Sequence, residues 1–412
     1  MNQELLLEFA HFKDSVDPLG AFRDEFVIED PDLIYLDGNS LGRLPKRSIK
    51  RMRDLVEVQW GGRLVRGWGE DWIDLPNRIG AKIAKLIGAS SDEVLVCDST
   101  SVNFFKLAMA ALEFQKGRSE IVTDSANFPS DVYLLQGCAK QTGHTLHVCE
   151  PEQIGEKLGP NTALLTLSHV SFKSGHLHSM RDLTAKAQAC GARVLWDLSH
   201  SVGALPIELN ACHADLAVGC TYKYLNGGPG APAFLYVRRD LQEKLLNPIW
   251  GWFGQTNPFG FSLDYQPAAG IQRFMVGTPP VLSLAAVECG VDLMLEAGIE
   301  QLRAKSVEQT EFLIELWRQL LQPLGFSLNS PASSSDRGSH ISLGHPNAFQ
   351  IDQCLIEEMK VIPDFRHPDN IRLGVTPIST TFFVLAEAML RIKKTVDSGA
   401  YKKYPTVAKG VT

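Results

Sequence analysis

An aspartate and a lysine, each placed after an apolar run, could do chemistry together. Asp197 closes the run at residues 194–196, and Lys223 follows the run at residues 216–219 and leads into a glycine-rich turn at residues 226–230. A lysine amine can form a Schiff base with an aldehyde, and a carboxylate can keep a pyridine nitrogen protonated so that the ring withdraws electrons. By itself, Lys223 could be a surface lysine before a turn. The pairing with Asp197 favours a pyridoxal 5'-phosphate (PLP) site.

Hydroxyl residues follow another apolar run and open a helical pattern. These are Ser99, Thr100 and Ser101. The N-terminus of a helix offers free backbone N–H groups and a partial positive charge, which suit a phosphate. The same residue types also serve as ordinary helix caps. Phosphate binding and capping therefore remain equal alternatives at this point.

An aromatic ring and an acid stand together at residues 127–131. Phe128 could stack on a flat cofactor and Asp131 could bond its ring substituents, although Phe-Pro is also a common loop signal and the aspartate a common helix cap. Tyr222, beside Lys223, could contact the phosphate or move a proton, or it could be a packing residue. A buried Asp197 facing a pyridinium would have its charge compensated.

The elements that must position these residues form an α/β pattern. From about residue 90 to 240, short apolar runs alternate with helical segments, which predicts a mainly parallel sheet covered by helices on both faces. Ligands of such sheets bind beyond the carboxyl ends of the strands. The predicted strand ends there carry Ser99, Thr100, Asp131, Ser168, Asp197, His200 and Lys223.

The remaining sequence predicts a smaller αβ domain. Residues 281–325 read as helical throughout, and strands at 339–343 and 370–374 with helices at 350–359 and 380–396 follow. We therefore predict an N-terminal segment at residues 1–50 that packs with the small domain. A large cofactor domain at 51–285 and a small C-terminal domain at 286–412 complete the division.

Composition excludes several classes of function. The chain has 412 residues, 44% of them hydrophobic, and a formal net charge of −7 without a basic run, so we expect no nucleic-acid or membrane partner. Acids within the first apolar run argue against a signal peptide, and no stretch approaches the roughly 20 apolar residues of a membrane helix. The eight cysteines are scattered, which indicates reduced thiols and no metal site. The expectation is a cytoplasmic enzyme.

Five segments together resemble the kynureninase family of fold type I PLP enzymes. They are residues 34–42 (Ile-Tyr-Leu-Asp-Gly-Asn-Ser-Leu-Gly), 128–131 (Phe-Pro-Ser-Asp), 197–203 (Asp-Leu-Ser-His-Ser-Val-Gly), 222–230 (Tyr-Lys-Tyr-Leu-Asn-Gly-Gly-Pro-Gly) and 274–280 (Phe-Met-Val-Gly-Thr-Pro-Pro). The similarity spans residues from about 30 to 380. Asn-Ser-Leu-Gly and Tyr-Lys-Tyr-Leu-Asn-Gly-Gly are its most specific parts. Where the resemblance leads us to expect a tyrosine, near Pro377, this chain has none.

The resemblance implies hydrolysis of L-kynurenine to anthranilate and L-alanine, a step of tryptophan degradation, with Lys223, Tyr222 and Asp197 as catalytic residues. It implies a homodimer in which Trp252 and Thr278 reach the cofactor from the partner subunit. It also implies that Arg372 clamps the substrate carboxylate, with Ser40 and Trp68 in the substrate site. The implied cofactor contacts are Thr100, Ser101, Phe128, Asp131, Ser168, Asp197, His200, Tyr222, Lys223, Trp252 and Thr278.

Trp68 bears on the choice of substrate. Relatives that accept 3-hydroxykynurenine resemble this chain but carry a histidine at this position, and an asparagine where this chain has Thr278. An indole packs well on an unsubstituted aniline ring and leaves a 3-hydroxyl poorly paired, so we predict a preference for L-kynurenine. Alternatively, Trp68 packs between Trp60 and Trp72 at the domain edge.

Two other functions remain in view. A cysteine desulfurase or selenocysteine lyase would have a histidine on the cofactor ring and a nucleophilic cysteine on a late mobile loop. Here the ring position is Phe128, and Cys354 falls in a helical apolar pattern. A non-catalytic sensor of the same fold would need a DNA-binding appendage, for which the acidic chain has neither room nor charge.

Overall fold

A computed structural model describes residues 3–406. Its strands are β1 Ile34–Tyr35, β2 Val94–Val96, β3 Glu120–Asp124, β4 Thr145–Cys149, β5 Thr162–Ser168, β6 Arg193–Asp197, β7 Leu216–Gly219, β8 Phe234–Val237, β9 Ser327–Leu328, β10 His340–Gly344, β11 Val361–Ile362, β12 Asp364–Arg366 and β13 Asn370–Gly374. Its α-helices are α1 Gln3–Ser15, α2 Lys46–Asp54, α3 Gly67–Glu70, α4 Leu75–Leu86, α5 Thr100–Phe114, α6 Pro129–Thr142, α7 Ile154–Lys157, α8 Met180–Ala189, α9 Arg239–Gln242, α10 Val281–Ala297, α11 Ile299–Leu316, α12 Ala348–Glu358 and α13 Phe382–Ser398.

The large sheet has seven strands in the order β2-β8-β7-β6-β5-β3-β4. The strands from β7 to β4 pair in parallel, whereas β8 runs antiparallel to both of its neighbours, β2 and β7. Strands β2, β5, β7 and β8 are buried along their whole length because helices cover both faces of the sheet. The predicted mainly parallel sheet is therefore confirmed.

A smaller antiparallel sheet has the order β12-β13-β10-β9. In its register Ser342 of β10 and Asp364 of β12 both lie opposite Arg372 of β13, and paired residues share a face of a sheet. A hydrophobic cluster joins this sheet to α12 and α13, and it includes Leu6 and Ala10 of the N-terminal helix. The N-terminal segment thus packs against C-terminal elements.

Residues 171–175 connect the two sheets. Arg372 Nη1 donates to the carbonyl of Phe172 at 2.7 Å, Ser342 Oγ donates to the carbonyl of Lys173, and Ser330 Oγ donates to the carbonyl of Ser174 at 2.5 Å. These bonds tie the small sheet to the loop that follows β5. Within the described residues, no helix is long and apolar enough to cross a membrane.

Candidate active site

The side chains of Lys223 and His200 meet beyond the carboxyl ends of β7 and β6. Lys223 Nζ lies 3.1 Å from His200 Nε2, and the two residues are 9% and 4% exposed. Burial, followed by the charge of Lys223, lowers the pKa of His200 well below its usual value. The imidazole is therefore neutral and can share a hydrogen bond with the amine.

Two carboxyl groups lie in contact beside this lysine. Asp197 ends β6, where its Oδ1 accepts a 2.8 Å hydrogen bond from the backbone N–H of Ser199. Asp131 stands in the first turn of α6, and burial together with Asp197 raises its pKa well above the usual value, while Lys223 opposes that rise. Burial and the neighbouring Asp197 therefore favour the protonated form of Asp131 in spite of the nearby lysine.

An aromatic ring borders the amine on another side. The centroid of the Phe128 ring lies 5.7 Å from Lys223 Nζ, and the ring packs edge-on against Phe172 at 5.2 Å. Asn127 fixes this loop because its side-chain oxygen accepts hydrogen bonds from the Phe128 N–H at 2.8 Å and from Ser168 Oγ at 2.7 Å. Phe128 is 37% exposed, so its face remains available for stacking.

The start of α5 lies at the same edge of the sheet. Ser99 caps the helix by accepting a hydrogen bond from the Val102 N–H, and Thr100 begins the helix. Ser101 Oγ lies 3.2 Å from Ser130 Oγ of α6. The capping prediction is confirmed at Ser99, which leaves Thr100, Ser101 and the first N–H groups of the helix as donors for an anion.

Tyr222 lies on the other side of Lys223, with its ring centroid 5.9 Å from the amine. The nearby Cys220, then burial, raise the pKa of its phenol, so the hydroxyl keeps its proton at neutral pH. A protonated phenol can donate to a carbonyl oxygen.

Arg372 reaches this region from the small sheet. Its guanidinium is 1% exposed, and Nη2 donates to Ser40 Oγ at 2.7 Å and forms an ion pair with Asp364. Nε is buried without a hydrogen-bond partner, so one donor remains free for a ligand. The backbone N–H of Gly42 donates to the Tyr222 carbonyl at 2.8 Å, which brings the Ser40 segment against the Lys223 loop. The predicted Arg372, Ser40 and Lys223 are therefore neighbours in the tertiary structure.

Trp68 and Thr278 line an apolar groove of about 460 Å³. Trp68 packs edge-on against Trp72 at 5.4 Å, as the packing alternative anticipates for that residue, and lies 6.5 Å from the Phe253 ring. Trp252 is 43% exposed and stacks edge-on against Phe253. Trp68 and Trp252 thus both contact the Phe253 ring, and Thr278 shares the groove with Trp68.

Sequence reasoning missed three side chains at the site. Asp364 and Asp37 are the acidic partners of Arg372, and His340, 0% exposed with both ring nitrogens unpartnered, lies 6.1 Å ring to ring from His200. Asp37 belongs to the segment 34–42 that also carries Ser40, so the sequence offered a signal for it. Asp364 and His340 had no such signal, because only strand pairing places Asp364 opposite Arg372 and His340 opposite Gly374.

Known proteins resemble this chain along most of its length. The aminotransferase class-V family model matches residues 34–357. A protein named kynureninase from Pseudomonas fluorescens is 41% identical over 392 residues, which cover 93% of this chain and 94% of the relative. A kynureninase from Burkholderia mallei (strain SAVP1) is 38% identical over 397 residues, covering 94% of this chain and 95% of the relative.

Solved structures share the architecture at low identity. The cysteine desulfurase CsdA from Escherichia coli superposes with a TM-score of 0.80 at 16% identity, covering 93% of this chain and 99% of that one. A cysteine desulfurase from Thermococcus onnurineus NA1 gives 0.77 at 18% identity, covering 89% and 95%. These likenesses establish the fold, and the sequence relatives establish the family. The chain belongs to the kynureninase family within the aminotransferase class-V proteins.

Proposed function

We propose that this chain uses PLP to hydrolyse L-kynurenine to anthranilate and L-alanine. The observation that carries the proposal is the grouping of a buried lysine, two touching carboxyls and a buried arginine around one sheet edge. The relatives named kynureninase, which match over nearly their full length, support the same reaction.

The residues fit the cofactor. Asp131 Oδ2 is buried without a hydrogen-bond partner, and Asp197 beside it raises its pKa. A protonated pyridine ring would supply a positive charge and a hydrogen-bond donor to these two carboxyls, and Phe128 offers a ring on which it could stack. Thr100 and Ser101, at the start of α5, would hold the phosphate. Lys223 Nζ would hold the aldehyde carbon.

When bound, the cofactor supplies an electron sink for charge that develops on the substrate. Asp197 would keep that sink effective by accepting a hydrogen bond from the ring nitrogen. Lys223 Nζ, when it is not bonded to the cofactor, would be the base that removes the Cα proton of the substrate. His200, 3.1 Å away, holds the amine in position.

The later steps cleave the Cβ–Cγ bond of the substrate. Water adds to the γ-carbonyl, the Cβ–Cγ bond breaks, the Cγ fragment leaves as anthranilate, and Cβ takes up a proton to complete L-alanine. Tyr222, whose raised pKa keeps the phenol protonated, is the donor that we assign to proton transfers beyond the reach of Lys223.

The substrate carboxylate would bind Arg372. A planar guanidinium suits a carboxylate, and the free Nε donor adds to those of the two Nη groups. Ser40, bonded to the same guanidinium, helps to fix its orientation.

A desulfurase activity has less support. Cys354 is fully buried in α12, so it cannot act as the mobile nucleophile that this chemistry needs. The likeness to desulfurase structures lies at 16–18% identity and concerns the fold.

We also propose a homodimer whose subunits share each active site. Exposed Trp252 and the apolar groove of Trp68 and Thr278 would face the partner, because an apolar surface of this kind gains from burial. The experiment that tests the function is incubation of the purified, PLP-loaded protein with L-kynurenine while anthranilate fluorescence is recorded. Absence of anthranilate from fully loaded protein would refute the proposal.

A further inference from the structure

Arg372 lies in a buried cluster of charged groups, which we call the carboxylate-site cluster. It consists of two arginines and three aspartates: Arg366, Arg372, Asp37, Asp352 and Asp364. Arg372 and Asp364 are each 1% exposed and Asp352 is 0% exposed. With every member ionised, the cluster would carry one negative charge in excess before any ligand arrives.

The two aspartates next to Arg372 are held differently. Asp364 forms close ion pairs with both Arg372 and Arg366, the latter at 2.8 Å, and is therefore a fixed counter-ion. Asp37 lies 3.6 Å from Arg372 Nη2, and its Oδ1 is buried without a hydrogen-bond partner. Of the two acids next to Arg372, Asp37 is thus the one whose negative charge the protein compensates less.

A substrate carboxylate adds a further negative charge to this cluster. Burying an uncompensated charge is costly, and a nearby acid normally takes up a proton instead. Building on the function proposed above, we propose that Asp37 takes up a proton when the substrate carboxylate reaches Arg372. Neutral Asp37 then leaves the guanidinium to the substrate, with Asp364 still in place.

The surroundings of Asp37 favour this role. Burial, then the charge of Asp364, raise its pKa to about 6, whereas a hydrogen bond from Ser40 and the two arginines lower it. The titratable groups that face it are Tyr35, Tyr224, Asp352, Asp364, Arg366 and Arg372. Both tyrosines have raised pKa values and stay neutral. Burial raises the pKa of Asp352 to about 7. Its charged neighbours are Asp364, Asp37 and Arg366 and do not include Arg372, so Asp352 is not next to the guanidinium that would bind the substrate.

The test is the pH dependence of KM for L-kynurenine in wild-type protein, Asp37→Asn and Asp352→Asn. Below a pH of about 6 Asp37 is already neutral in the free protein, so binding has its full strength there. As pH rises, a proton must be taken up with the substrate, and the ratio of wild-type KM to the KM of Asp37→Asn should rise about tenfold per pH unit. Comparing the two proteins cancels ionisations of the substrate amine and the cofactor.

Asp352→Asn is the matched control: its KM should still rise with pH, because Asp37 is present, although loss of the neighbouring charge shifts the pH at which the rise begins. The proposal is overturned if Asp37→Asn retains the wild-type profile, or if the KM of Asp352→Asn does not rise with pH. Should Asp37→Asn fail to fold, Asp37→Ser serves the same comparison, and a wild-type KM that does not change with pH is by itself contrary. Wild-type protein that releases no anthranilate refutes the proposed function instead, which keeps the two failures apart.

Discussion

Lys223 Nζ lies within 3.1 Å of His200 Nε2 although 22 residues separate the two in the chain. Their strands, β7 and β6, are parallel neighbours, so both chain segments emerge at the same edge of the sheet. The imidazole is neutral because burial opposes its charging. The contact with His200 fixes the position of the Lys223 amine, and the neutral imidazole does not take up a proton from it at neutral pH.

The first prediction concerns the attachment of the cofactor. Purified protein should be yellow, and borohydride reduction should fix PLP on Lys223, since this amine lies beside the paired carboxyls. Peptide mass spectrometry locates the adduct. Lys106 is a matched control because it is also a buried lysine, bonded to Asp98 at 2.6 Å. A reduced adduct on Lys106 or any other lysine would contradict the assignment.

The second prediction concerns the ring carboxylate. Asp197→Ala should retain some PLP but lose turnover by orders of magnitude, because a neutral pyridine is a poor electron sink. The absorbance of bound PLP and the rate of anthranilate release measure the two effects separately. Near-normal turnover would remove Asp197 from this role.

The third prediction concerns Arg372. Arg372→Lys should raise KM by roughly 5- to 150-fold, equivalent to about 1–3 kcal/mol, because a point charge replaces a bidentate contact. The value of kcat should change less than KM. Lys393→Arg, on the exposed side of α13, controls for nonspecific effects of exchanging these residue types. If KM is unchanged, the carboxylate binds elsewhere.

The fourth prediction concerns the choice of substrate. Wild-type protein should prefer L-kynurenine to 3-hydroxykynurenine in kcat/KM, and Trp68→His should shift that ratio toward the hydroxylated compound. A buried hydroxyl that lacks a partner costs about 1–3 kcal/mol, or roughly 5- to 150-fold. Trp72→His tests whether any change in the aromatic groove has the same effect. A wild-type preference for 3-hydroxykynurenine would contradict our interpretation of Trp68.

The fifth prediction concerns the shared site. Lys223→Ala and Trp252→Ala homodimers should each be weakly active, since each lacks one part of every site. Mixed and refolded together, they should form heterodimers in which one of the two sites is intact, so activity should return. Light scattering verifies the dimer. Mixtures that stay at the level of their components would argue that Trp252 serves the site of its own subunit.

The sequence predicted the elements of the large sheet well. Its strands fall in the region of residues 90–240 where apolar runs alternate with helical segments, and β2, β5, β7 and β8 are buried throughout, as apolar runs predict. The antiparallel direction of β8 was not expected, since composition does not record the direction in which a strand pairs. The helical region at 281–325 is in fact interrupted at Gly298, whose φ of +78° separates α10 from α11.

The sequence by itself determined that the residues following the parallel strands lie close together. Parallel strands bring their carboxyl ends to one edge, so Asp197, His200 and Lys223 had to be neighbours once the strands were recognised. The tertiary structure alone decided the surroundings of Arg372. Asp364 faces it by antiparallel register, and Asp37 and Phe172 reach it from distant segments. Such contacts depend on how two sheets pack, and packing leaves no periodic signal along the chain.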